Sequence, residues 1–206
     1  MYKRSEQTRE ALVSAAAELI ATGRFADAGL VNICRVAGVS RGALYHHFTS
    51  IAELVAEVYA QARERATVLV EDSFAGSAAD APARFSVALG AAMAKDQLIC
   101  AGMGLGADGT DSAPRLRDEV LGMVRDRIVE DARGGAAPDA LADLAVVVTA
   151  GLESLGYTDS GWWDPRQTER LWGVLRPLFA EARDVAARDV ASHDVGAREV
   201  GATVDQ

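Results

Sequence analysis

Val36-Ala37-Gly38-Val39-Ser40-Arg41-Gly42-Ala43-Leu44-Tyr45-His46-His47-Phe48 reads as the end of one short helix, a tight glycine turn and a second short helix. Gly38 permits the turn because glycine enters left-handed backbone at no steric cost, and Ser40 is a capping residue for the helix that follows. Val39, Leu44 and Phe48 are spaced to anchor the second helix on a core. Arg41, Tyr45, His46 and His47 are then left to face solvent. A unit of this size and charge fits the major groove of DNA.

The rest of the chain reads as helix on both sides of this run. Leu12, Ala15, Ala16, Leu19 and Ile20 recur at helical spacing over 5–22, and Gly23 stops that helix. Leu30, Ile33, Val36 and Ala37 form a short helix over about 29–36, and the Ser40 helix runs to His46 or His47. A long amphipathic helix is expected over 50–74, followed by the linker Ala75-Gly76-Ser77 and a helix from Pro82 to about 95. The glycine-rich stretch Gly102 to Gly109 breaks the pattern. Pro114 opens a helix to about 133, closed by Gly134-Gly135, and residues 138–156 form an apolar helix. A loop with Trp162 and Trp163 precedes a last main helix over 166–184. From Ala182 a five-residue unit repeats (ARDVA, ARDVA, SHDVG, AREVG), a period that fits neither a helix face nor a heptad. It reads as a frayed extension passing into a disordered end. The expectation is an all-α chain, with an N-terminal helix-turn-helix domain at 1–49, a helical ligand-binding and dimerisation domain at 50–184, and a tail at 185–206.

Charge is distributed unevenly along this layout. The 206 residues carry a net −9, yet residues 1–50 hold six basic and four acidic side chains, which leaves −11 for the remainder. A mildly basic head on an acidic body suits a protein whose head alone meets phosphate. Cys34 and Cys100 cannot form a disulfide framework, and no Cys/His cluster has zinc spacing. The N-terminus lacks the apolar core of a signal peptide, and no stretch approaches the roughly 20 apolar residues of a membrane span. A cytoplasmic protein without membrane, metal or cofactor is expected.

Residues 9–55 resemble the N-terminal DNA-binding domain of the TetR (tetracycline-repressor) family of bacterial transcription factors. The resemblance rests on Thr8-Arg9-Glu10, Ala15-Ala16-Ala17-Glu18-Leu19, Phe25, Ile33, the run from Ala37 to Phe48, Ser50 and Leu54. It implies that Arg41 and Ala43 read base edges, arginine toward guanine and the alanine methyl toward thymine. It implies that Tyr45, His46 and His47 hold phosphates, that Ser40 and the amides around Gly29 meet phosphates at helix N-termini, and that Gly42 lets the helix approach the duplex closely. Two departures stand out. The family's hydroxyl cap before the first helix of the motif is replaced by Ala28-Gly29, and its Lys-Glu pair after Ser50 by Ile51-Ala52. Each change removes a group that would face phosphate.

A small head selects a genomic site by pairing across two half-sites, so a dimer is expected. Leu141, Leu144, Ala145, Val148, Leu152 and Leu155 lie on one stripe, and Leu171, Trp172, Val174, Leu175, Leu178 and Phe179 cover a broad face. Two such helices per chain would make the four-helix interface that the resemblance implies. Met93, Cys100, Met103, Leu105, Met123, Thr149, Trp162 and Trp163 are candidate lining residues for a small hydrophobic or amphipathic effector. The pattern from Cys100 to Leu105, with Gly151 and Leu171-Trp172, also resembles γ-butyrolactone autoregulator receptors. The helix after Pro114, however, has Val120-Leu121 where those receptors would place a tryptophan.

Gly104, Gly106 and Gly109 satisfy a G-x-G-x-x-G string, which makes a nicotinamide-dependent oxidoreductase the rival reading. The turn at Thr110 to Pro114, where a helix should begin, and the lack of later βα units argue against it. A ligand-independent structural DNA binder would share the head but would not need so large an apolar body. The reading reached is a non-enzymatic, ligand-responsive repressor that binds an inverted-repeat operator as a homodimer. On this reading, replacing Ile51 with lysine tightens operator binding and steepens its salt dependence, checked by titration over a salt series. Unchanged affinity and slope would show that residue 51 faces the protein interior.

Overall fold

The computed structural model describes residues 2–105, 115–131 and 138–180. Among them are nine α-helices and no β-strand. The helices are α1 (Tyr2–Ala21), α2 (Phe25–Ala37), α3 (Arg41–His47), α4 (Ile51–Phe74) and α5 (Ala81–Lys95). They continue with α6 (Gln97–Met103), α7 (Leu116–Asp131), α8 (Pro138–Gly156) and α9 (165–180). The Pro114 helix start, the Gly134-Gly135 stop, Gly106, Gly109 and the repeats beyond 180 lie outside the described residues.

Two departures from the expected layout have local reasons. The chain is already helical from Phe25, and Gly29, at φ 46° and ψ −174°, breaks it where the expected helix starts. That conformation is open only to glycine, so the segment after it starts as a fresh helix. α6 was not expected, because Gly102 within it and Gly104 just after it mask the helical period. Asp96 supplies the signal: its Oδ1 accepts hydrogen bonds from the amides of Leu98 at 2.9 Å and Ile99 at 3.4 Å, capping the helix.

The chain divides into two compact units, one formed by Met1–Leu69 with Ala91–Val120 and the other by Val70–Gly90 with Leu121–Gln206. In the first, α1 lies against α2, α3 and α6. Its buried residues include Leu12, Ala16, Leu19, Ile33, Leu44, Phe48, Leu54 and Val58. α4 and α6 cross closely at Gly102, where an added Cβ would lie 2.2 Å from the Ala62 Cβ. The Asp96 carboxylate that caps α6 also meets Arg65 of α4 at 2.6 Å. Glu119 of α7 accepts hydrogen bonds from the Tyr59 hydroxyl and, at 2.9 Å, from Arg63 Nε. Burial and the Glu119 carboxylate push the Tyr59 phenol up to about 12.

The second unit buries Phe85, Leu89, Val124, Ile128, Ala142, Ala145, Leu152, Trp172 and Phe179. Inside it the Ser86 and Thr149 hydroxyls share a hydrogen bond of 2.7 Å, so two buried polar groups satisfy each other. The Trp163 ring packs so tightly on α8 that a Cβ at Gly156 would stand 1.8 Å from its Nε1.

Gly102→Ala cannot be accommodated without moving α6 off α4. It should lower stability by about 1–3 kcal/mol in denaturant unfolding. Gly122→Ala, where nothing lies within 4 Å, should not destabilise the chain and serves as the control.

Candidate nucleic-acid interface

The site is built around α3. Gly38 takes the left-handed conformation at φ 68° and ψ 28°, and the chain leaves α2 with the Gly38 amide on Arg35 O and the Val39 amide on Cys34 O. Two residues later Ser40 is extended, and its Oγ accepts from the Ala43 amide at 3.1 Å. One free amide at the new N-terminus is thereby satisfied from within the chain. At the other end the Phe48 amide donates to Leu44 O at 2.9 Å and closes the helix.

Burial sorts the faces of α3 cleanly. Leu44 and Phe48 are 0% and 1% exposed and hold the inner face; Val39 is half-buried. Arg41, Gly42, Tyr45 and His46 are exposed, with Tyr45 at 55%, while Ala43 and His47 are half-buried. The two imidazoles meet edge to face with centroids 5.2 Å apart. A Cβ at Gly42 would find only Ser40 Oγ, at 3.8 Å, so no internal packing demands glycine there. Gly29 is exposed at the break in α2. The structure thus gathers six of the expected residues, Arg41 to His47 without the buried Leu44, on one short helix.

One support was not read from the sequence. Ser50 Oγ accepts from the Glu53 amide at 3.1 Å, and Glu53 Oε2 reaches back to the Thr49 amide at 2.6 Å and its hydroxyl at 2.7 Å. These bonds hold the Glu53 carboxyl below the usual carboxylate range, the Thr49 hydroxyl contributing most. The signal was the S-x-x-E spacing of Ser50 and Glu53, a capping box at the start of α4. Ile51 is half-buried and Ala52 exposed in the first turn.

The expected effector residues fall into both units. Met93, Cys100, Met103 and Leu105 belong to the first, and Met123, Thr149, Trp162 and Trp163 to the second. Met93, Met103, Leu105 and Thr149 are buried; Cys100, Met123, Trp162 and Trp163 are half-buried. Two of them already spend their polar groups inside the protein, Thr149 on Ser86 and Trp163 Nε1 on Glu153 O at 3.2 Å. A polar cleft of about 420 Å³ opens in the first unit beside Glu6, Arg9, Gln61, Arg65 and Asp96, and none of the eight lines it. As for the dinucleotide string, the residues before Gly104 form the helix α6, where a dinucleotide site requires a strand.

Residues 12–58 match the family model of bacterial regulatory proteins, tetR family. The HTH-type transcriptional regulator UidR of Escherichia coli strain K12 is 32% identical over 76 residues, 37% of this chain and 39% of UidR. The match thus spans well under half the length of that relative. A γ-butyrolactone receptor described as ArpA-like shares the fold with TM-score 0.67 at 24% identity, over 90% of this chain and 97% of the receptor. CprB of Streptomyces coelicolor, a TetR-family protein solved with its operator, aligns with TM-score 0.65 at 25% identity over 90% of this chain and 97% of CprB.

Tyr45 lies on the outer face of α3 and is 55% exposed. Tyr45→Ala should abolish binding to a cognate duplex in a fluorescence-anisotropy titration while leaving the thermal unfolding curve within experimental error of wild type. A coincident loss of stability would make Tyr45 a packing residue.

Proposed function

Because residues 12–58 carry the DNA-binding domain of the TetR family, we propose that the chain is a ligand-responsive transcriptional repressor that binds an inverted-repeat operator as a homodimer. The observation that carries the reading is the two-faced α3, anchored by Leu44 and Phe48 and exposing Arg41, Tyr45 and His46. In a major groove, Arg41 and Ala43 would meet base edges, and Tyr45, His46 and His47 the phosphates on either side. Ser40 and the amides around Gly29 would meet phosphates at helix N-termini, and Gly42 would let α3 approach the duplex closely.

The dimer is supported by apolar side chains that the second unit leaves in water. On α8 the inward face takes Ala145 and Leu152, while Val147 and Leu155 are exposed at 67% and 44%. On α9, Leu171, Val174 and Leu178 are exposed, Val174 at 77%. Gly151 and Gly173 stand among them with nothing within 4 Å of a built Cβ, which would let a partner helix come close. Two heads held by such an interface would reach successive major grooves about 34–36 Å apart.

The effector is a small hydrophobic or amphipathic molecule acting in the cytoplasm, bound more tightly by the dimer that cannot reach both half-sites. γ-Butyrolactones are the first class to test, since a receptor for them shares the fold. Their recognition here would have to do without a tryptophan at Val120 or Leu121, which are buried aliphatics of α7. No enzymatic step is part of the reading.

Selection of bound fragments from a random DNA pool at two salt concentrations tests it. An enriched inverted repeat supports a dimeric, sequence-specific regulator and supplies the probe for an effector screen. Salt-labile binding without a motif overturns it. Val174→Glu places a charge in the proposed interface. It should convert the dimer to monomer in analytical ultracentrifugation and weaken operator binding by at least about tenfold, because the two half-sites are no longer held together.

A further inference from the structure

α3 has seven residues, too few to fix its own position, and its last anchoring side chain is Phe48. A residue from a different helix holds that anchor. Arg9 of α1 lies over the Phe48 ring with its Cζ 5.2 Å from the ring centroid. The same guanidinium makes a two-pronged pair with Glu57 in the second turn of α4, Nη1 donating to Oε1 at 2.9 Å and Nη2 meeting Oε2 at 2.7 Å. Glu57 is itself steadied by Gln61 Nε2, which donates to Oε1 at 2.7 Å. One side chain therefore touches the end of α3 and the start of α4 while rooted in α1.

We infer that Arg9 is a positioning residue for the recognition helix: it clamps Phe48 against α4 and so fixes how α3 is presented to DNA, without touching DNA itself. The inference rests on the proposed role of α3. The alternative for an arginine near a DNA-reading helix is a direct phosphate contact. The geometry speaks against it, because both terminal nitrogens are engaged by Glu57 and one face of the guanidinium lies over Phe48. A planar, forked cation is needed for both contacts at once, and lysine can satisfy only the charge.

The test compares full-length wild type with R9Q, R9K, E57Q and the R9Q/E57Q double variant. Amide exchange without DNA is followed at Leu44 and Phe48, whose amides donate to Ser40 O at the start of α3 and to Leu44 O at its end. Affinity for the selected operator is measured over a salt series. R9Q and E57Q should each speed exchange at these amides and leave α8 protected. Each should weaken operator binding by roughly tenfold with an unchanged salt slope, since no phosphate contact is lost. The double variant should be no worse than either single one, and R9K should fall between wild type and R9Q. Unchanged exchange in α3 overturns the inference. So does a salt slope shallower by about one unit in the Arg9 variants alone, which would identify a phosphate contact. Loss of protection throughout the chain would assign Arg9 to general stability and overturns it equally; should R9Q fail to fold, E57Q and R9K decide. If wild type binds no duplex, the regulator reading falls while the exchange data still decide whether Arg9 positions α3.

Discussion

A helix of seven residues cannot hold its shape in water, since isolated helices below about 12–15 residues are marginal even with favourable sequences. α3 is such a helix, and whatever the protein does with DNA depends on its being held. Its N-terminus is satisfied by Ser40, its inner face is buried through Leu44 and Phe48, and its entry angle is set by the left-handed Gly38. Each contact is local or nearly so. The outer face is consequently free of structural duty, which is why Arg41, Tyr45 and His46 can be spent on a partner.

The support extends further than the motif. The compact unit containing α3 also takes in the first part of α4, all of α6 and the start of α7. The glycine at 102 lets α6 lie directly on α4, and Asp96 caps α6 with one oxygen while pairing Arg65 with the other. The ion pair alone is partly exposed and would contribute at most about 1 kcal/mol. The close crossing is the stronger constraint, because backbone and Cβ atoms cannot yield as a flexible side chain can. A change in the position of α6 must therefore be felt by α4, the helix that begins just after the run from Val36 to Phe48.

In the second unit the buried Ser86 and Thr149 hydroxyls satisfy each other and Trp163 Nε1 donates to Glu153 O, while α8 and α9 leave several aliphatic side chains exposed. Interior and exterior differ in what surrounds them: Thr149 is buried against Ser86, whereas Val174 and Val147 are mostly exposed. These exposed aliphatic side chains are what the proposed dimer would cover.

The run from Val36 to Phe48 was readable from the sequence because its signals are local: a glycine for positive φ, a serine for the cap, and apolar residues at helical spacing. The all-α class and the long helices α4, α5 and α8 were legible for the same reason of period. Neither α6 nor the helical turn from Phe25 ahead of Gly29 was foreseen. In the first case glycines at 102 and 104 hid a helix that tertiary packing on Ala62 makes favourable; in the second, four residues before a glycine are too few to show a period. The inward and outward sides of α8 could not be assigned from amphipathicity alone, since an apolar residue does not record what covers it. Nor could the sequence bring Arg9 to Phe48 and Glu57, which lie 39 and 48 positions away. Local chemistry determined most of the helical segments and which residues α3 leaves exposed for the proposed DNA contact. Only the packing of those helices decided which side chains hold the recognition helix in place, because contacts between distant positions exist only once the chain has folded.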